Sequence, residues 1–316
     1  MARFFVKTDP ADLQNGRIII TGPDVNHITN VLRASKGDGL VLCDGAGTDY
    51  DAVIEQISRE TIETAIRDTR PSTTEPPIEI TLFQGIPKAD KMEYIIQRCV
   101  ELGVRRIVPV LTARTVVRFG SARDAAAKSA RWNRIALEAA KQCDRGIIPE
   151  VSDTVRLDEA LKLAEGFDLK LLPYEEEKEG SLRKVLREYQ ALPGSGGRSE
   201  GTLDRVEAVD GGWCGEAADS AKPADGDRYG GTADRVEAVD GGRCEGTADR
   251  VNSLDGGRRD RIAILIGPEG GFDHDEAEKA AGAGFVSVTL GPRILRTETA
   301  GAAVAAIVMY ELGDMG

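Results

Sequence analysis

From Ile78 onward the chain alternates short apolar runs with longer stretches of helical periodicity, and this rhythm limits the possible folds more than any other feature of its 316 residues. Runs at 78–84, 106–111, 168–173, 262–266 and 286–290 have strand length and few polar residues. Between them, 91–102, 124–143, 180–189, 273–281 and 298–312 read as helices. In the first of these Met92, Ile95, Ile96 and Cys99 share a face, and Gly103 stands at the C-cap. A strand covered on both sides has no polar face, so the pattern predicts an α/β domain: a mostly parallel sheet with helices on both faces. Ligands of such sheets bind beyond the carboxyl ends of the strands.

Residues 1–70 read differently. Short apolar runs at 17–20, 39–43 and 50–54, broken by Gly, Asp and Asn, predict a small β-rich domain. The polar, proline-rich stretch 70–77 suits a linker, which divides the chain into 1–70, a linker at 71–77, and 78–316. Within the last part, 194–260 breaks the rhythm. GTLDRVEAVDGG at 201–212 recurs as GTADRVEAVDGG at 231–242 and GTADRVNSLDGG at 246–257, a 15-residue unit with a degenerate copy at 216–230. With about two branched aliphatics per unit, the repeats offer too little apolar surface to offset the entropy of ordering them. The expectation is a disordered, dispensable insert, with flanks near Leu192 and Arg261 that are neighbours in one domain.

Composition excludes several classes. The apolar run 302–310 is far shorter than the roughly 20 residues of a membrane span, and MARFFVKTDP lacks the features of a signal peptide. A cytoplasmic protein is expected. Cys43, Cys99, Cys143, Cys214 and Cys244 are odd in number and never spaced as CxxC, so they read as reduced thiols and not as a zinc site. The net charge of −12 weighs against a polyanionic partner, yet 201–260 carries half of it, with 14 acidic residues against 8 basic. The local field steers a polyanion, so a basic patch elsewhere is still allowed.

Two loops carry the chemistry. GPEGGF at 267–272 follows a strand and opens a helix headed by Asp273, where glycines let a ligand approach the backbone and the helix start offers free N–H groups. It matches neither GxGxxG nor GxxxxGK[ST]; read alone, a ligand loop and a plain tight turn are equally open. The second loop, LGPRILRTETA at 290–300, leads into a helix rich in Ala and Gly that must be buried against close neighbours. Thr297 suits an N-cap. Capping does not account for Arg296 and Glu298 beside a buried helix start, which require partners or a ligand. AspHisAsp at 273–275 lacks a third metal ligand, and with only His27 and His274 a Ser-His-Asp hydrolase has little support.

Together, GPEGGF and LGPRILRTETA resemble the C-terminal signature of the SPOUT methyltransferases, specifically the RsmE family of 16S ribosomal RNA uridine-N3 methyltransferases. MARFF, HITNVLRASKGD at 27–38, LFQGIPKADKMEYIIQRCVELGV at 82–104, RWNRIALEAAKQCDR at 131–145 and LLPYEE at 171–176 resemble further family blocks in the same order. The resemblance spans nearly the whole chain except 194–260. It implies a PUA-like β-barrel for RNA at 1–70, then a SPOUT domain with a C-terminal trefoil knot, working as a homodimer on ribosomal RNA or the small ribosomal subunit. It also implies S-adenosylmethionine as cofactor and no metal.

Carried over residue by residue, Leu172, Pro173, Gly267, Gly271, Leu290, Ile294, Leu295 and Thr299 hold the cofactor. Arg296 and Glu298 are the catalytic candidates, with a purely structural ion pair between them as the competing reading. Arg3, His27 and Arg33 in the small domain, and Lys88, Lys91, Arg114, Gln142 and Arg145 beyond it, are the RNA-binding candidates, against plain surface roles. Another SPOUT enzyme acting on ribose or a tRNA base, and a catalytically silent RNA-binding protein, are the alternatives.

Overall fold

A computed structural model describes residues 3–192 and 259–315. The repeats, and with them the expectation of a disordered insert, lie outside the described residues.

The N-terminal part is a five-stranded sheet of β1 (Arg3–Phe5), β2 (Arg17–Thr21), β3 (Gly39–Cys43), β4 (Thr48–Ile57) and β5 (Thr61–Pro71), in the order β1-β3-β4-β5-β2. Register shifts at Asp51/Ala52 and Ile54/Gln56 bend the long β4–β5 pair, as bulges do. The sheet thereby wraps a core of Phe4, Ile18, Ile28, Leu42, Ile54 and Ile62. Two short helices, α1 (Pro10–Gln14) and α2 (Pro23–Asn26), and a π-helical turn at His27–Val31 fill the connections.

The larger sheet joins β6 (Glu79–Gly85), β7 (Arg106–Leu111), β8 (Glu150–Val151), β9 (Val155–Arg156), β10 (Leu169–Pro173), β11 (Arg261–Ile266) and β12 (Val286–Val288). Its order is β12-β10-β11-β6-β7-β8, with β9 also on β7, and every pairing is parallel. Successive side chains leave for opposite faces, as in β11, where Ile262, Ile264 and Ile266 join one core and Ala263 and Leu265 the other. The first face is covered by α3 (Lys91–Glu101), α4 (Ala122–Gln142), α6 (Leu182–Gln190) and α8 (Thr297–Leu312), the second by α5 (Leu157–Leu163) and α7 (His274–Gly282). The chain runs outward from β6 to β7 and β8, then crosses to β10 and returns through β11 to β6's other side. The strand order reverses there, where a crevice opens above an open α/β sheet.

The predicted helices and strands of 78–316 match within a few residues, except that β12 ends at Val288, two residues early. No element was predicted over 150–163, where β8, β9 and α5 lie. The linker also differs. β5 extends to Pro71, paired with Thr48, and the following residues are bonded in place: the Ser72 N–H donates to the Gly47 carbonyl, and the Glu75 carboxylate takes N–H groups of Gly146 and Ile147. β2 pairs only with 61–65, so this end of β5 is a sheet edge, where proline's missing donor costs no ladder bond. All described residues fall within one compact unit. Among them no helix is long and apolar enough to cross a membrane.

Candidate active site

The carboxyl ends of β10, β11 and β12 surround a cavity of about 750 Å³. Its floor is the GPEGGF loop, and the sequence dictates how that loop lies. Asp273 caps α7 and exchanges bonds with Glu276, the Glu276 N–H to Asp273 Oδ1 at 2.8 Å and the Asp273 N–H to Glu276 Oε2 at 3.2 Å. Gly271 has a φ of 66°, and a Cβ on Gly267 would sit 3.0 Å from the Gly271 carbonyl carbon. Only glycines allow the loop to cross itself so closely. Gly85 at the end of β6 is as confined, since a Cβ there would come 2.6 Å from the Pro268 nitrogen.

The opposite wall is the segment from Leu290 to Leu295. Among the described residues its N–H groups at Ile294 and Leu295 find no acceptor. The helix that follows starts one residue earlier than predicted, and Thr297 is not its cap. Arg296 holds the cap position, while the Thr297 hydroxyl, buried, donates to the Gly267 carbonyl at 2.6 Å and accepts from Gln84 Nε2 at 2.9 Å. This one hydroxyl ties α8 to the floor loop and to β6.

Of the predicted cofactor residues, Pro173, Gly267, Gly271, Leu290, Ile294 and Leu295 line the cavity. Two do not. Leu172 is fully buried in the core against α5 and α7, because on a strand it must face opposite to its neighbours. Thr299 is exposed and outside the lining, three residues into a helix whose inward face belongs to Thr297 and Ala300.

Arg296 and Glu298 both line the cavity, but they are not each other's partners. Glu298 Oε2 lies 3.3 Å from Lys91 Nζ, and the same ammonium lies 3.0 Å from Glu269 Oε1. Lys91, predicted on the RNA path, therefore joins α3 to both loops of the cavity, and its hydrogen bond to Glu269 raises its pKa. Burial pushes the Glu269 carboxyl up, but its own backbone N–H, the Lys91 ammonium and the Lys88 N–H outweigh this and hold it below the ordinary value. Among the described residues the Arg296 guanidinium has no ion pair. The sequence reading missed Gln84, Gly85 and Glu269; the lone glycine closing an apolar strand was the available signal for Gly85.

The RNA candidates separate by burial. Arg145 is buried against Glu75, Nη2 to Oε2 at 2.7 Å, and also donates to the Val100 and Val104 carbonyls, so it has nothing left for a phosphate. Arg3 is likewise committed, to Asp49 at 2.5 Å, Ser72 and the Asp144 carbonyl, with its side chain 11% exposed. Both hold the N-terminal sheet against the larger one. Arg114 is exposed and donates to the Gly270 carbonyl at 2.6 Å. His27, Arg33, Lys88 and Gln142 are exposed, His27 standing edge-on to Phe4. Burial pushes the Cys43 thiol up to about 11 even with Arg3 beside it, so it stays protonated near neutrality. Among the described residues no three potential metal ligands come together.

A family model for the RNA methyltransferase domain matches residues 74–196 and 242–309, and one for the RNA methyltransferase PUA domain matches 20–66. Ribosomal RNA small subunit methyltransferase E of Bacillus subtilis is 31% identical over 227 residues, covering 68% of this chain and 88% of that one. The chain belongs to this RNA methyltransferase family. Another family member, from Buchnera aphidicola subsp. Schizaphis graminum, is 26% identical over 96% of this chain and 94% of its own length. The crystal structure of the Neisseria gonorrhoeae methyltransferase E bound to S-adenosyl methionine superposes with a TM-score of 0.65 at 26% identity, covering 100% of both chains. The family's two domains thus correspond to the two sheets described above.

Proposed function

We propose that this chain uses S-adenosylmethionine to methylate N3 of a uridine in 16S ribosomal RNA of the small subunit. The observation that carries this reading is the cavity at the carboxyl ends of β10, β11 and β12, which brings together the Arg296 guanidinium and the N–H groups of Ile294 and Leu295, none of which has a partner among the described residues. The cavity suits the cofactor. Leu290, Leu295 and Phe272 offer apolar wall to a planar base, the N–H groups of Ile294 and Leu295 offer hydrogen bonds, and the Glu175 carboxylate suits a positively charged ligand.

Bound there, the cofactor supplies an electrophilic methyl group on a sulfonium. The protein's task is then to align N3 and to manage one proton. Arg296 stabilises the negative charge that gathers on the uracil oxygens as the N3 proton leaves. The Lys91 ammonium, 3.3 Å away, holds Glu298 in place, so that Glu298 orients the base or receives the proton. His27, Arg33, Lys88 and Gln142, exposed and uncommitted, are left to meet the RNA.

The same reading includes a cytoplasmic homodimer and a trefoil-knotted C-terminal region. Ile307 and Tyr310, 39% and 62% exposed on the outer face of α8, favour a partner there. The test is mass mapping of 16S ribosomal RNA from a strain lacking the gene, complemented with wild type or Arg296→Ala. Loss of a single methyluridine, restored by wild type alone, is the expected result. An unchanged map overturns the proposal, and full restoration by Arg296→Ala overturns the role of Arg296.

A further inference from the structure

A second cavity, of about 640 Å³, opens on the far side of the loop that follows β7. It is bounded by the loop residues Thr112 to Phe119, the start of α5 at Arg156 and the flank of α7 at Glu276 and Lys279. Its charges do not cancel. Glu276 is buried, with both oxygens taken by the N–H groups of Ala113, at 2.7 Å, and Asp273. Lys279 and Asp158 face each other at 3.8 Å, leaving the guanidinium groups of Arg118 and Arg156 exposed and, among the described residues, without a partner, while the Arg156 backbone N–H donates to Glu159 Oε2. The other arginines singled out so far in the interior are held in place, Arg145 by all three of its nitrogens and Arg3 by both of its terminal ones. The half-buried ring of Phe119, with the Lys128 ammonium 5.4 Å from its centroid, supplies a flat apolar wall beside the two guanidinium groups.

The loop after β7 that bounds this cavity is also bonded to the floor loop of the active site and to the helix after it. The Arg114 guanidinium donates to the Gly270 carbonyl, and Glu276, four residues beyond the GPEGGF loop, fixes the Ala113 N–H.

We infer that this cavity binds a nucleotide of the RNA strand flanking the methylated one, its phosphate between Arg118 and Arg156 and its base against Phe119. The inference rests on the proposed RNA methyltransferase activity. Guanidinium groups bind phosphate through paired N–H bonds, and a base stacks on an aromatic ring whatever its identity. The site thus fixes the position of the strand without reading its sequence. It also accounts for a gap left by the buried Arg3 and Arg145, by supplying two exposed cations on the same domain as the active site.

The test compares the full-length wild type with Arg118→Ala/Arg156→Ala and Arg118→Lys/Arg156→Lys. Small subunits from a strain lacking the enzyme serve as substrate. Measured are RNA affinity, KM and kcat for methyl transfer, cofactor affinity, and the dependence of KM on salt. The alanine pair is expected to raise KM about tenfold, with kcat and cofactor affinity unchanged, and to reduce the logarithmic salt slope by about 0.7, the value for one single-stranded phosphate. The lysine pair keeps the slope. An alanine pair with wild-type KM, RNA affinity and salt slope overturns the inference, as does a raised KM with an unchanged slope. A wild type that binds RNA and transfers no methyl group overturns instead the activity on which it rests.

Discussion

Thr297 connects three segments that lie far apart in the sequence. Its hydroxyl reaches the Gly267 carbonyl and receives Gln84 Nε2, while Gln84 itself is fully buried. Removing the hydroxyl without changing the shape of the side chain leaves the half-buried Gly267 carbonyl without that partner and the buried Gln84 Nε2 with only the Gly85 carbonyl. Thr297→Val is therefore expected to destabilise the protein by about 1–3 kcal/mol, measured by urea unfolding, and to weaken cofactor binding because the floor loop loses its tie to α8. Thr297→Ser keeps the bond and stays near wild type; equal losses in both variants contradict this account. The sequence placed Thr297 at the helix start as its N-cap; it stands one residue inside, with Arg296 at the cap, and its partners were not legible. Local periodicity carries no information about which distant carbonyl a hydroxyl meets. Arg296 and Glu298 illustrate the same limit: their proximity to a ligand site followed from the crowding of charge, yet the cation that pairs with Glu298 is Lys91 from α3, 207 positions earlier in the chain.

At the level of elements, the core strands were readable because burial on both faces leaves them uniformly apolar, and the long helices because one face repeats. β8, β9 and α5 are too short, at 2, 2 and 7 residues, to display a period, and the strand order depends on contacts that no local pattern records. Two glycines in this framework differ sharply in what they do. A Cβ on Gly85 would lie 2.6 Å from the Pro268 nitrogen and 2.9 Å from the Gly267 carbonyl carbon, both backbone atoms of the floor loop. On Gly301, inside α8, the nearest atoms are side-chain atoms of Gln84 and Leu82 at 3.4 Å, an ordinary contact. Gly85→Ala is expected to cost about 1–3 kcal/mol through overpacking and to loosen cofactor binding by displacing the loop. Gly301→Ala is expected to gain about 0.5–1 kcal/mol from helix propensity with binding unaltered. Thermal midpoints with a cofactor titration decide both, and a stabilised Gly85→Ala removes the claim that β6 and the floor loop need this close approach.

The whole molecule is held together where the sequence suggested only a linker. Glu75 accepts from Arg145 and from the N–H groups of Gly146 and Ile147, and these last two residues meet the N-terminal sheet: the Gly146 carbonyl accepts from the Gly47 N–H, and Ile147 bridges to Ala46. Arg3 fastens the same seam through Asp49, Ser72 and the Asp144 carbonyl. The three prolines and the polar residues of 70–77 looked like a solvated connection because a buried ion pair and an exposed one use the same letters. Both side chains of the Arg145–Glu75 pair are only 4% exposed, so deleting one member strands a charge away from water. Glu75→Ala is expected to cost about 3–5 kcal/mol in urea unfolding, whereas replacing both members by apolar residues of similar volume restores most of that loss. Because the pair sits at the seam, hydrogen exchange should rise in β4 and β5 as well as in β6 and β7. Faster exchange confined to the larger sheet would mean that the two parts keep separate stabilities, and that the RNA-facing residues of the small domain are not held in register with the cavity.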